Sequence, residues 1–316
     1  MNRGIMLKAA RELLPITIML GVVGLAAEGI LAYVLPTFSG QFTQGMMRVE
    51  FVKNIIKAML GTDLAEGIDL TTFGSIPWVH PVLLAIVWAH AIVCCTRVPA
   101  GEVDRGTIDV LLGLPVSRWN LYFSESVVSL ASALILLVFI AAGNALGTWR
   151  VHSDFRFEPY RVMIVEANLL CLYILVGAAA WFFSSLSDRR GRAIGVVFVI
   201  VVASFLLNYL AQFWEPAQKL APLGMLRYYR PLFIFRNGAW PWRDLLILLS
   251  ASAILWIRVE RLANLPFSAR SGNACRRALS SWRGRLAHAF TRGNRGRGAH
   301  ATKKSLPCIL EMHAYH

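Results

Sequence analysis

The sequence predicts an all-α, polytopic integral membrane protein with six transmembrane helices, an amphipathic outer interfacial helix and a cytoplasmic coupling helix. Three observations predict it. Hydrophobic residues are 56% of the 316 positions and charged residues 16%, where soluble chains have about 45–50% and about 25%. Mean hydropathy is +0.54, and a soluble chain so apolar could not cover its surface with polar groups. The apolar residues also gather into runs of the roughly 20 residues that a helix needs to cross hydrocarbon. Finally, the net charge of +14 is localised, with +9 of it between Phe267 and His316. Basicity therefore belongs to a tail, and the body is a membrane protein rather than a nucleic-acid binder.

The spans follow in order. Residues 13–35 form the first, with Glu28 as its one charge. Residues 79–98 form the second, between Pro77 and Pro99, and residues 127–146, 163–186 and 193–213 form the next three. The sixth, 245–257, is short for a crossing; it suffices if Trp240 and Trp242 anchor one interface and the helix runs on toward Leu262. Six spans put both termini on one side. With the N-terminus inside, the inner segments hold 21 Lys and Arg against 11 outside, and the tail tips an otherwise even total. The inner segments before the tail are the shorter ones, so their charge density supports cytoplasmic termini in a cell inner membrane. The chain thus divides into a cytoplasmic N-terminus (1–12), a membrane domain (13–262) and a basic tail (263–316) whose composition suits disorder.

Residues 46–60 are too short and too charged to cross. Met47, Phe51, Ile55, Ile56 and Met59 share one helical face, with Arg48, Lys53 and Lys57 opposite. That pattern suits a helix lying in the outer interface, in contact with lipid, or one packed on protein. Five irregularly spaced cysteines make no disulfide framework. Cys308, His313 and His316 lack a second half-site, so no metal is expected. The long apolar stretch near the N-terminus does not read as a cleaved signal peptide.

Polar residues inside spans are costly and draw attention. Glu28 and His90 sit deep, while His80 and Glu166 lie near span ends. Glu28, His90 and Glu166 are candidates for a polar pathway, with interhelical hydrogen bonding as the plainer alternative. Gly21 and Gly24, and the small residues 177–180, permit close helix contact.

The most informative stretch is 97–118, RVPAGEVDRGTIDVLLGLPVSR. Between its prolines, residues 102–114 can form a short helix with acids in the first turn, where the helix dipole favours them. Ile108, Leu111 and Leu112 make an apolar stripe suited to docking on another protein, or to lying on lipid or neighbouring spans.

The order Glu102, Gly106, Thr107, Ile108, Asp109, Leu111, Leu112, Leu114, Pro115, Val116, Ser117, Arg118 resembles the cytoplasmic loop after the second span of ABC-2 type transporter permeases. That loop typically reads E, then G-T-L-E, a leucine pair and P-V-S-R. FFSSLSDRRGRAIG (182–195) and LGMLRYYRPLFIF (223–235) resemble the same family's second cytoplasmic loop and the segment before its last span. The resemblance implies a permease with two chains per pore, as a homo- or heterodimer, and separate cytoplasmic ABC ATPase subunits. It implies that Glu102, Arg105, Gly106, Thr107, Ile108, Leu111, Leu112, Pro115 and Arg118 meet the ATPase. No G-x-x-x-x-G-K-[ST] phosphate loop occurs in the chain, so ATP and Mg belong on the partner and no cofactor is expected here. The chain is therefore expected to be a non-catalytic permease subunit of an ATP-driven exporter of unidentified substrate. A scaffold or regulatory subunit docking a cytoplasmic partner through the same loop is the alternative. An intramembrane enzyme using Glu28, His90 and Glu166 ranks last.

Overall fold

The computed structural model describes residues 3–37, 70–108, 117–151 and 156–263. The expected interfacial helix at 46–60, Leu111, Leu112 and Pro115 of the loop, and the tail after residue 263 lie outside them. Among the described residues every regular element is helical. Five helical stretches are long and apolar enough to cross a membrane, and the protein is a multi-pass membrane protein.

The first helix, α1 (Arg3–Thr37), has 35 residues. At about 1.5 Å per residue it is about 52 Å long, against about 30 Å of hydrocarbon. Its first turns, carrying Lys8, Arg11 and Glu12, therefore project beyond the apolar layer, and residues 3–12 are continuous with the first span rather than separate from it.

α2 (Leu70–Val79) and α3 (Pro81–Cys95) share one crossing broken at His80. A proline disfavours helical backbone in the residue before it and suits the first helical position. His80 accordingly has φ −63 and ψ 132, and its ring accepts the Val82 N–H at 3.3 Å. The second span thus begins at Thr71 and ends at Cys95, which corrects the expected 79–98. Hydroxyl-bearing α2 is buried because its polar groups find partners, Ser75 donating to the Thr72 carbonyl at 2.8 Å and the Thr72 hydroxyl accepting from Arg236 at 3.4 Å. That leaves Phe73, Ile76 and Trp78 for the core.

After Arg97–Gly101, where extended backbone at Val98 kinks the chain, comes the single turn α4 (Glu102–Arg105). Then follow α5 (Arg118–Trp149), α6 (Pro159–Leu186) and α7 (Arg190–Leu210). Ser117 starts α5 by accepting the Asn120 N–H at 3.2 Å, an N-cap within the Pro-Val-Ser-Arg sequence. Two short helices, α8 (Glu215–Leu220) and α9 (Pro231–Asn237), precede α10 (Trp242–Ala263). α10 carries Arg243, Asp244, Arg258, Glu260 and Arg261, and falls short of the other five stretches in apolarity.

α3 and α6 form the centre, burying Leu83, Val87 and Ala91 from one and Ile164, Leu169, Leu172 and Val176 from the other. Only 22% of the apolar stretches of α1 and α7 is buried, against 67% for 71–95. Met19, Val22, Phe198 and Val199 face outward. α1 lies along α5 at very close range. Gly24 faces Ile140 as expected of it, but the tightest approach is at Gly143 and Gly147, where an added side chain would run into the Leu25 and Gly29 carbonyls. Small residues four apart let backbones meet in this way.

Candidate functional site

Charged side chains from separate helices converge at the end of the bundle where α1 begins and α3 ends. Arg97 bonds Glu12 of α1 through one guanidinium nitrogen and Glu125 of α5 through the other. Lys8 lies 3.8 Å from Glu12 and donates to Glu102 at 3.1 Å. Glu102 also accepts the Thr107 hydroxyl. Arg97, Glu102 and Glu125 are buried, so each charge needs its partner. Burial works to raise the Glu102 carboxyl, but the bonds from Thr107 and Lys8 outweigh it and hold the group below the ordinary carboxylate range.

The segment is also fastened to α6 and α7. The Ala100 N–H donates to Ser184 at 3.1 Å, and Arg190 donates to the Val93 carbonyl at 2.9 Å. The Arg190 side chain passes 3.3 Å from where a Cβ on Gly101 would stand. Residues 97–107 are therefore bonded to α1, α5 and α6, and Arg190 of α7, which bonds the end of α3, packs against Gly101.

The helix expected over 102–114 is interrupted at Gly106: α4 closes after Arg105 because Gly106 takes φ +71, a left-handed conformation that favours glycine. Nothing lies within 4 Å of a Cβ built there, so backbone conformation, not close approach within the chain, sets the need for glycine. Ile108 is helical again, and residues 109–114 lie outside the described residues. Glu102 turns inward to Lys8 and Thr107, while Val103, Asp104 and Arg105 are exposed and Ile108 is half-buried. Arg118 opens α5.

The intramembrane candidates separate into two places. His90 is fully buried, with Nδ1 3.0 Å from the Tyr173 hydroxyl and Nε2 3.0 Å from Thr17 Oγ1. The Thr17 hydroxyl already donates to the Leu13 carbonyl at 2.8 Å, so Nε2–H donates to Thr17. Through Thr17 and Tyr173, His90 pins α1, α3 and α6 together. Glu28 is buried between α1 and α5, accepting Asn144 Nδ2–H at 3.0 Å, and its other oxygen has no hydrogen-bond partner. Glu166 on α6 lies within electrostatic reach of it and has one buried unbonded oxygen. Among the described residues no group of His, Cys, Asp and Glu could hold a metal.

Lys8, Glu12 and Glu125 are the site residues that sequence reasoning misses, and their one sequence signal is position just beyond the end of an apolar run, while Arg97, Ser184 and Arg190 lie in the family-like stretches 97–118 and 182–195 without a role assigned there.

A broken second crossing followed by a short loop fastened to its neighbours belongs to a helical membrane protein. A family model described as ABC-2 family transporter protein matches residues 10–237, and the chain belongs to that family of membrane transporter components. No curated protein and no solved structure matches it.

Proposed function

We propose that the chain is the permease subunit of an ATP-driven exporter, inserted in the cell inner membrane with both termini in the cytoplasm. In this reading α10 is the sixth span. Its 22 residues give about 33 Å at about 1.5 Å per residue, enough for the hydrocarbon layer. Its Trp256 donates to Ser126 at 3.2 Å near the start of α5, while its Asp244 pairs with Arg230 toward the opposite end. A second permease chain covers part of the exposed apolar face, and a separate ATPase holds ATP and Mg.

The observation that carries this reading is the fastening of residues 97–107. Arg97 links the loop to α1 and α5, and Ala100 links it to α6. A push on the exposed Asp104 and Arg105 would pass through buried, charge-assisted bonds, the strong kind, into several helices at once. The ATPase-facing residues are Arg105, Gly106, Thr107, Ile108, Leu111, Leu112, Pro115 and Arg118, with Glu102 holding the loop from behind.

The test is site-directed photocrosslinking from position 105 in native membranes. The expected product joins the full chain to a soluble ATPase, and purified complex but not purified single chain hydrolyses ATP. Crosslinking to a partner that is not an ATPase, with no nucleotide-dependent solute movement, would establish the scaffold instead.

A further inference from the structure

At the end of the bundle opposite the charge network, a cavity of about 360 Å³ opens beside the end of α7, the turns after α8 and the start of α10. Its charged lining is three arginines, Arg227, Arg230 and Arg243, and one acid, Asp244. Arg230 is engaged: it lies 3.8 Å from Asp244, and its guanidinium sits 5.4 Å from the Phe233 ring centre. Arg227 and Arg243 are exposed and pair with no carboxylate among the described residues. The wall therefore carries two uncompensated positive charges.

The backbone presenting them is fixed. Asn168 accepts the Arg230 N–H at 3.1 Å and donates to the Tyr228 carbonyl at 3.1 Å, and Ser204 accepts the Met225 N–H at 2.9 Å. Trp240 and Trp242 stack at 5.2 Å, and the Trp240 indole donates to the Tyr160 hydroxyl at 2.8 Å. Aromatic side chains of this kind gather where hydrocarbon meets water, which places the cavity at headgroup depth.

We propose that this cavity binds a phosphate-bearing anion, either a lipid headgroup or a soluble phosphate ester. A guanidinium is a planar fork that matches two phosphate oxygens, and two such forks stand free on one wall. Ligand sites span about 300–1,000 Å³, so this volume takes a headgroup or a small ester and excludes a bulky anion. The site adds a ligand to the transporter without depending on how an ATPase docks.

The test uses the full chain, purified and reconstituted. In one arm, native mass spectrometry counts phosphatidylglycerol retained against phosphatidylcholine. In the other, calorimetry titrates glycerol 1-phosphate and inorganic phosphate. Arg227→Gln with Arg243→Gln should weaken binding on the order of tenfold or more, while Arg150→Gln, an exposed arginine outside the cavity, should not. Asp244→Asn removes the one competing carboxylate and should tighten binding several-fold, a gain that misfolding cannot produce. Binding in the first arm alone identifies a lipid, and binding in the second identifies a soluble anion. Absence of binding in both arms, or equal loss in the cavity and Arg150 variants, overturns the site.

Discussion

Arg97 shows what a single residue does in this bundle. It is 5% exposed and held between Glu12 and Glu125, which are 32% and 8% exposed. Removing the cation leaves two carboxylates facing each other, one of them buried, and breaking a buried pair from one side costs about 3–5 kcal/mol. Arg97→Met should therefore lower the melting temperature of the purified protein sharply. Arg97→Met with Glu125→Met should recover most of the loss, since Glu12 is partly solvated and keeps Lys8. Equal melting temperatures for the single and double variants would mean that the charges are not coupled. Glu102 yields a second expectation. Its carboxyl is held below the ordinary range, so its contribution to stability is present above the unfolded value of about 4.3 and is lost as pH falls through the lower folded value. The stability gap between wild type and Glu102→Gln should be constant near neutrality and shrink below about pH 4.3; a gap unchanged down to pH 3 would contradict the Lys8 and Thr107 bonds. Neither role is legible in the sequence. Glu12 and Arg97 are 85 positions apart, and Arg97 and Glu125 are 28 apart. Only the packing of helix ends brings them together.

Among the elements, the α1–α5 pair depends on glycine in a way that separates two superficially similar substitutions. At Gly143 a methyl group would meet the Leu25 backbone, whereas at Gly195 on α7 nothing lies within 4 Å. Backbone cannot yield as a side-chain tip can, so Gly143→Ala should force the helices apart at a cost of about 1–3 kcal/mol. Gly195→Ala should be neutral or gain up to about 1 kcal/mol from helix propensity. Melting of the two variants in the same detergent checks this; similar values would mean α1 and α5 are not in backbone contact. Sequence periodicity locates the apolar helices well because hydrocarbon thickness fixes their length. It is less informative where a helix carries buried hydroxyls, as with α2, whose Ser75 bonds its own turn and whose Thr72 accepts from Arg236. It also misses the break at Gly106, where composition allows an unbroken helix but the backbone turns left-handed.

For the molecule as a whole, the network end and the far end differ in how much of them the sequence announces. The family is readable in the order from Glu102 to Arg118, and residues 10–237 match the family model. What that order does not reveal is direction, for Glu102 turns inward to bind Lys8 and Thr107 while Asp104 and Arg105 face out. A docking loop fastened from behind should tolerate changes on its free face without losing the body of the protein. Leu111→Asp and Leu112→Asp test the proposed docking role, because insertion of the membrane helices does not require the segment between α4 and α5. A carboxylate buried without a partner against an ATPase surface costs several kcal/mol, about 2 to 3 orders of magnitude in affinity. Membrane expression and melting temperature of these variants should match wild type, while pull-down of the ATPase and nucleotide-driven transport fall together. Normal ATPase capture and normal transport by both Asp variants would remove the apolar stripe from the docking surface and leave it packed on lipid or on neighbouring helices.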